Sequence, residues 1–190
     1  QSLVRPLGDE RFFLLETLRE YARERLDAAG ERDEYALRHA RWYLDRLEQG
    51  FEAMRGPRRG ERVAWFVTEE DNVRAMLTAF TAARPAQAAR AAELLFPYWK
   101  SRRAYGEARQ RVTALLELGE VSDGARPKLF EILSEVETLV GDLDAAEAAS
   151  RQTLRLTEPG EEMRAYALLG LSIIAGSAGK REEAVRLARE

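Results

Sequence analysis

The densest acidic run in the chain consists of Glu69, Glu70 and Asp71. Neighbouring carboxylates can perform acid-base catalysis or hold a hard cation. These three residues fall within a predicted helix, where consecutive side chains point in different directions and so do not converge on one ligand. We therefore interpret the run as a solvated or capping surface.

Histidine and cysteine chemistry is nearly excluded by composition. His39 is the sole histidine and there is no cysteine, so the chain cannot form a multi-histidine metal site, a disulfide or a thiolate nucleophile. Asp142 and Asp144 lie in a turn too short for a calcium loop, and Thr153 stands where that loop needs its Glu. We predict no catalytic, cofactor-binding or metal-binding residue and classify the chain as a non-enzyme.

Arginines and aromatic residues are two further groups that could bind a ligand. The arginines could contact phosphate, but we interpret them as solubilising residues that pair with the abundant Glu. The aromatic residues could form a ligand cage, but at helical spacing they more often belong to a core. The arginines are Arg55, Arg58, Arg59, Arg102 and Arg103, and the aromatic residues are Trp42, Trp65, Tyr98 and Trp99.

The 190 residues are 45% hydrophobic and 33% charged, enough for one core or for an elongated series of small ones. The net charge of -3 gives no general attraction to nucleic acid. No apolar run approaches the roughly 18 residues of a membrane span. We expect a soluble, cytoplasmic protein without direct membrane or nucleic-acid contacts.

Helical periodicity fills most of the chain. Apolar spacing and breaker residues predict helices over about 16–29, 32–54 and 61–83. Pro85 suits the first turn of the next helix. Pro97 falls inside that helix, where we expect a kink or break because proline lacks a backbone donor.

One helix-turn-helix pattern occurs twice in the C-terminal third, and a third copy lies just upstream in the chain. Equivalent residues are 38 apart, as in 146 minus 108 and 184 minus 146. Such internal repetition is typical of solenoids, in which each hairpin buries its apolar face against its neighbours. The equivalent residues are Leu95, Leu133 and Leu171 in the first helix and Ala108, Ala146 and Ala184 in the second.

This pattern resembles the tetratricopeptide (TPR) repeat, in which a first helix with large residues is followed by a second helix with a small Ala. Phe130 and Leu168 match the large residues. The period exceeds the roughly 34 residues of the standard repeat, and Ser134 and Ser172 replace its usual first-helix Gly. The resemblance implies an all-α fold, a TPR-like helical-hairpin superhelix over residues 85–190.

Residues 1–15 read as two strands around a turn. Ser2 to Arg5 and Arg11 to Ala22 resemble the end of the winged-helix domain in AfsR-like and LuxR-like bacterial regulators of the STAND ATPase class. Glu69 to Leu77 is similar to the segment that precedes the TPR array in that family. The resemblance divides the chain into a β-hairpin remnant of a winged helix (1–15), a helical connector (16–84) and TPR-like repeats (85–190).

The family's phosphate-binding loop would need Gly-Lys-Ser or Gly-Lys-Thr. Gly179 and Lys180 are followed by Arg181. The resemblance thus implies that ATPase and DNA-binding domains lie outside this chain, which would be the regulatory, signal-sensing part of a transcription regulator. The alternative is a stand-alone TPR adaptor that docks a partner peptide in its concave groove.

The TPR register also predicts the residues of that groove. They change along the array from charged to apolar, so we expect a protein or peptide partner with a polar and an apolar end, or a small-molecule inducer. A further repeat that covers Leu169 and Ile173 is the other interpretation. The predicted groove residues are Arg90, Glu93, Lys100, Lys128, Glu131, Glu135, Tyr166, Leu169 and Ile173.

Overall fold

The computed structural model describes residues 4–6, 12–54 and 56–190 of the chain. Most of this part is helical, which confirms the all-α class. A short 3-10 helix, Glu52–Met54, follows α2. The α-helices are α1 (Glu16–Ala29), α2 (Arg32–Gly50), α3 (Arg59–Ala83), α4 (Pro85–Arg102), α5 (Tyr105–Glu117), α6 (Arg126–Val140), α7 (Leu143–Arg155), α8 (Glu162–Ser177) and α9 (Arg181–Leu187).

Two short strands precede α1. β1 (Val4–Pro6) and β2 (Phe12–Leu14) pair antiparallel, with Val4 opposite Leu14. The turn predicted from sequence runs from Pro6 to Glu10. Pro6 belongs to β1, and residues 7–11 lie outside the described residues. Assignment of this segment to the end of a winged-helix domain stays a prediction.

Local sequence explains where the helices of one hairpin begin and end. Pro127 lies in the first turn of α6, where a missing backbone donor costs nothing. Gly141 ends α6 with a φ of 88°, a left-handed conformation that glycine adopts without a steric penalty. Asp142 then caps α7 by accepting a hydrogen bond of 3.1 Å from the backbone N–H of Ala145.

Of the kink or break expected at Pro97, the break is wrong, because α4 runs through this residue without interruption, and the kink stays a prediction. An interior proline costs roughly 3 kcal/mol. Phe96, Tyr98 and Trp99 are all buried around it. Burial of such side chains stabilises by roughly 1.5–3 kcal/mol each, which outweighs the lost backbone bond.

The helices pack as a series of hairpins. Each helix contacts the next one in the chain, and α2 also contacts α4, α4 contacts α6, and α6 contacts α8. The even-numbered helices from α2 to α8 therefore lie side by side as one layer. Both α2 and α3 contact α4, just as both α4 and α5 contact α6. The helices α2 and α3 therefore form a further hairpin of the array, although we predicted this segment as a connector.

A continuous apolar cluster holds α2 to α6 together. It extends from Ala40 to Val136 and crosses the predicted boundary at residues 84–85. Phe66 and Tyr98 stack near its centre, with ring centroids 4.4 Å apart. Because α3 and α4 share this core, the connector and the first predicted repeat are packed as one unit.

Candidate ligand-binding face

The nine predicted groove residues all lie on α4, α6 and α8, three neighbours in the layer of even-numbered helices. Three adjoining depressions of about 600, 400 and 280 Å³ include all nine in their linings, and Tyr166 lines all three. We call this surface the α4–α6–α8 face. The 38-residue register thus places these residues together, and their role in binding stays a prediction.

Ion pairs cover the α4 and α6 part of the face. Lys100 Nζ lies 2.6 Å from Glu135 Oε1 and so connects the two helices. Within α6, Lys128 Nζ lies 2.9 Å from Glu131 Oε2. These exposed or half-buried pairs leave alternating positive and negative charges on the surface.

Arg90 anchors the charged end of the face to α2. Its guanidinium donates to Glu93 Oε2 at 2.8 Å and to Glu48 Oε1 at 3.3 Å. Burial lowers the pKa of Arg90, but the hydrogen bonds and charges of the two carboxylates raise it by more. Arg90 is therefore a fixed cation at this end.

The α8 part of the face is apolar and exposed. Tyr166, Leu169 and Ile173 recur every three or four residues, so they share one side of the helix. Leu169 is 54% exposed and Ile173 is 52% exposed. Along the α4–α6–α8 face, the side chains thus change from charged on α4 and α6 to mostly apolar on α8, as expected from sequence.

The depression of about 280 Å³ is a pocket between α6, α7 and α8, and we call it the α8 pocket. Its lining includes Ser134, Thr138, Ser150 and Thr153 on one side and the apolar residues of α8 on the other. Ser134 Oγ and Ser150 Oγ form a buried hydrogen bond of 2.6 Å. Sequence reasoning noted Ser134 only as a departure from the TPR pattern, because nothing in the local sequence pairs it with Ser150.

Gly170 opens this pocket. A Cβ atom added there would lie 3.2 Å from Ser150 Oγ and 3.9 Å from Ser134 Oγ. A contact of 3.2 Å is tight, so the Ser150 hydroxyl would have to shift by a few tenths of an ångström, whereas 3.9 Å is an ordinary contact. The absence of a side chain at position 170 therefore leaves the floor of the pocket accessible beside two hydroxyl groups.

The solvated interpretation of the acidic run is wrong for Glu69. This residue is buried, and its Oε2 accepts hydrogen bonds of 2.7 Å from Tyr43 Oη and from Asn72 Nδ2. Glu70 instead pairs with Arg74 at 2.8 Å near the surface. Position on the helix separates these carboxylates, as expected, and Glu69 ties α2 to α3.

The four aromatic residues considered as a cage do not enclose a common space. Tyr98 and Trp99 are buried in the core, whereas Trp42 is exposed and Trp65 half-buried. His39 lies beside Tyr43, with ring centroids 4.7 Å apart. The predicted core role holds for Tyr98 and Trp99 and is wrong for the exposed Trp42.

The arginines considered as phosphate contacts are spread over separate parts of the fold. Arg59 lines the depression of about 400 Å³, and Arg58, Arg102 and Arg103 are exposed. Arg55 lies outside the described residues. The structure therefore gathers no cluster from the described members of this group.

Within residues 4–6, 12–54 and 56–190, no group of three or more His, Cys, Asp or Glu residues is placed to hold a metal ion. No helix described in these ranges is long and apolar enough to cross a membrane.

Comparisons with protein-family models, with curated proteins and with solved structures found no match. The residues and their geometry therefore carry the functional argument. The resemblance to TPR arrays and to the AfsR-like and LuxR-like regulators enters that argument as a proposal.

Proposed function

We propose that this chain is a non-catalytic scaffold of TPR-like hairpins that receives a signal on the α4–α6–α8 face. The observation that carries the proposal is the convergence of nine residues, chosen by repeat register, on three adjoining depressions. Helix hairpins stacked in series build extended binding surfaces of this kind. The partner is a protein or peptide with a polar and an apolar end, or a small-molecule inducer.

Contacts between helices support the TPR-like part of the proposal. Ala108 and Ala146 are completely buried where the second helix of each hairpin meets the first, as a small residue at a close crossing should be. Ala184, the third equivalent, is half-buried. The repeated contacts between α2, α4, α6 and α8 are those expected when first helices form the inner layer of a solenoid.

In the wider proposal, the chain is the regulatory part of an AfsR-like or LuxR-like STAND regulator and restrains or releases ATPase and DNA-binding domains elsewhere in the protein. The sequence phrases at Arg11 to Ala22 and Glu69 to Leu77 support it. Sequencing the gene upstream of Gln1 tests it, because the regulator requires a phosphate-binding loop there. An upstream region without that loop would leave the stand-alone adaptor.

Peptide selection tests the binding face. Peptides selected from a random library on the immobilised chain should carry a charged and an apolar end, and Leu169→Asp should weaken their binding by roughly tenfold or more. Val185→Asp is the matched control, because Val185 on α9 is 50% exposed but lines none of the three depressions. Equal losses from both variants would contradict the proposed face.

A further inference from the structure

We propose that the α8 pocket binds a compact molecule that carries a protonated amine and an apolar group. This inference rests on the proposed function, since the pocket forms the apolar end of the α4–α6–α8 face. It adds the chemical class of the ligand. Three independent features of the pocket lead to it: its hydrogen-bonding groups, its charges and its shape.

The hydroxyl groups of the pocket already use most of their protons. Thr138 Oγ1 donates to the Ser134 carbonyl at 2.9 Å, and Thr153 Oγ1 donates to the Pro127 carbonyl at 3.3 Å. One hydroxyl of the pair Ser134 and Ser150 donates to the other. Thr153 is completely buried, and the accepting serine still has its own proton to donate. Lone pairs remain on the half-buried Thr138 and on the serine pair at the floor, so acceptor sites still outnumber donors. A ligand that donates hydrogen bonds therefore fits better than one that accepts them.

The charges of the lining favour the same ligand. The lining contains Glu131 and Glu135 and no Lys or Arg. Lys128 and Lys100 approach these carboxylates from the neighbouring depression. A carboxylate has about four acceptor sites, so a pairing lysine leaves room for a second donor.

Lys128 shows that an ammonium group suits this edge of the pocket. Its Nζ lies 2.9 Å from Glu131 Oε2 and 5.8 Å from the centroid of the Tyr166 ring. A carboxylate together with an aromatic face attracts cations through charge and through the ring quadrupole. An anionic ligand would meet two carboxylates there, and the lysines beside them are already engaged in ion pairs, so an anion is less favoured than an amine.

Shape sets the size and the apolar part of the ligand. A volume of about 280 Å³ lies near the lower limit of ligand pockets, so it admits a compact molecule. Tyr166, Leu169 and Ile173 supply an apolar wall opposite the hydroxyl groups. Gly170 leaves space beside that wall, where an aromatic or short aliphatic group can be buried.

The test uses 2-phenylethylamine as a probe, titrated into the 190-residue chain and followed by NMR chemical shifts. The neutral 2-phenylethanol and the anionic 3-phenylpropanoate have the same ring and nearly the same size. The amine should bind more tightly than the alcohol, and the acid should bind most weakly. Equal or tighter binding of the alcohol or the acid would overturn the ligand class, and absence of amine binding would overturn the proposal.

Two glycines on α8 provide matched variants. Gly170→Val fills the pocket and should weaken amine binding by roughly tenfold. Gly176→Val adds the same side chain to the same helix, where an added Cβ has no neighbour within 4 Å, and should leave binding unchanged. Amine binding that survives Gly170→Val would place the amine elsewhere and overturn the assignment.

Glu135→Gln keeps the proposal testable if Gly170→Val fails to fold, which circular dichroism would reveal. This variant keeps the size of the side chain and should weaken the amine several-fold without affecting 2-phenylethanol. Equal effects on both probes would overturn the role of charge.

If selected peptides bind through Leu169 while no amine binds, the pocket assignment fails and the proposed scaffold function stands. If the amine binds and Leu169→Asp leaves peptide binding unchanged, the peptide-docking proposal fails instead.

Discussion

The junctions at the two ends of the helix array are packed with different kinds of side chain. Between α2 and α6, aromatic and large aliphatic side chains such as Phe66, Phe80 and Trp99 form one continuous core. Between α6, α7 and α8, small and hydroxyl-bearing buried residues such as Ser134, Ala149 and Thr153 alternate with aliphatic ones, and no aromatic side chain of these helices is buried. Consecutive helix hairpins of one array therefore form a dense core at one end and an accessible pocket at the other.

This difference teaches where binding can occur on a repeat scaffold. A junction filled by aromatic rings has no room for a ligand, because protein interiors are close-packed. A junction of small and hydroxyl-bearing residues buries less apolar area, and the apolar face of its outer helix is left exposed. We therefore expect the α8 end to be the less stable part, and its exposed apolar surface is where the proposed partner would bind.

The largest expected effect compares equivalent leucines at the two ends. Leu95 is 1% exposed within the continuous core, whereas Leu171 is 7% exposed between α7 and α8. Leu95→Ala should lower the free energy of unfolding by roughly 2–5 kcal/mol, and Leu171→Ala should fall at the low end of that range or below it. Urea denaturation measures both. Equal losses would show that the two junctions are equally well packed.

Sequence predicted the fold well wherever apolar periodicity was strong. The bounds of α1 and the start of α4 agree with the predicted ones, because Gly30 and Pro85 mark them directly. The hairpin formed by α2 and α3 was not recognised as part of the array, since it carries no copy of the 38-residue pattern. Its place in the layer depends on tertiary contacts with α4.

In the candidate site, too, some features were predictable from sequence and others depend on tertiary contacts. The repeat register placed nine face residues on one surface, because equivalent positions on neighbouring first helices fall side by side. The α8 pocket could not be predicted, since it depends on Gly170 lying over the pair Ser134 and Ser150, residues far apart in sequence. The burial of Glu69 was missed for a similar reason, because its partner Tyr43 lies on another helix.

A second prediction tests the polar contact within the densely packed end. Tyr43→Phe removes the hydrogen bond to the buried Glu69 carboxylate and should cost about 1.5–3 kcal/mol, the range for hydrogen bonds to charged groups. Tyr35→Phe is the matched control, because Tyr35 is an exposed residue on the same helix. Thermal unfolding of both variants provides the measurement. A Tyr43→Phe variant as stable as the control would remove Glu69 from the forces that join α2 to α3.

A third prediction concerns the small alanines of the repeat. Ala146 is 0% exposed, so Ala146→Leu should overpack the contact between α6 and α7 and cost roughly 1–3 kcal/mol. Ala184→Leu should cost less, since Ala184 is only half-buried. Ala148→Leu makes the same change at an exposed position of α7 and should be nearly neutral. If Ala146→Leu melts at the same temperature as the parent, this residue is not the close contact of its hairpin.

The smallest expected effect on stability is that of an ion pair on the charged part of the face, outside the two junctions. Lys100 and Glu135 form an exposed pair between α4 and α6. Their coupling in a double-mutant cycle of Lys100→Met and Glu135→Gln should be below about 1 kcal/mol and should shrink in high salt. Arg151 and Glu147, an exposed pair on α7 away from the face, should give a similarly small value. Only the first pair should change the affinity for selected peptides, because only its residues line the face.

A coupling well above 1 kcal/mol for Lys100 and Glu135 would mean that they hold α4 against α6. The α4–α6 part of the face would then be a structural junction rather than a surface available to a partner.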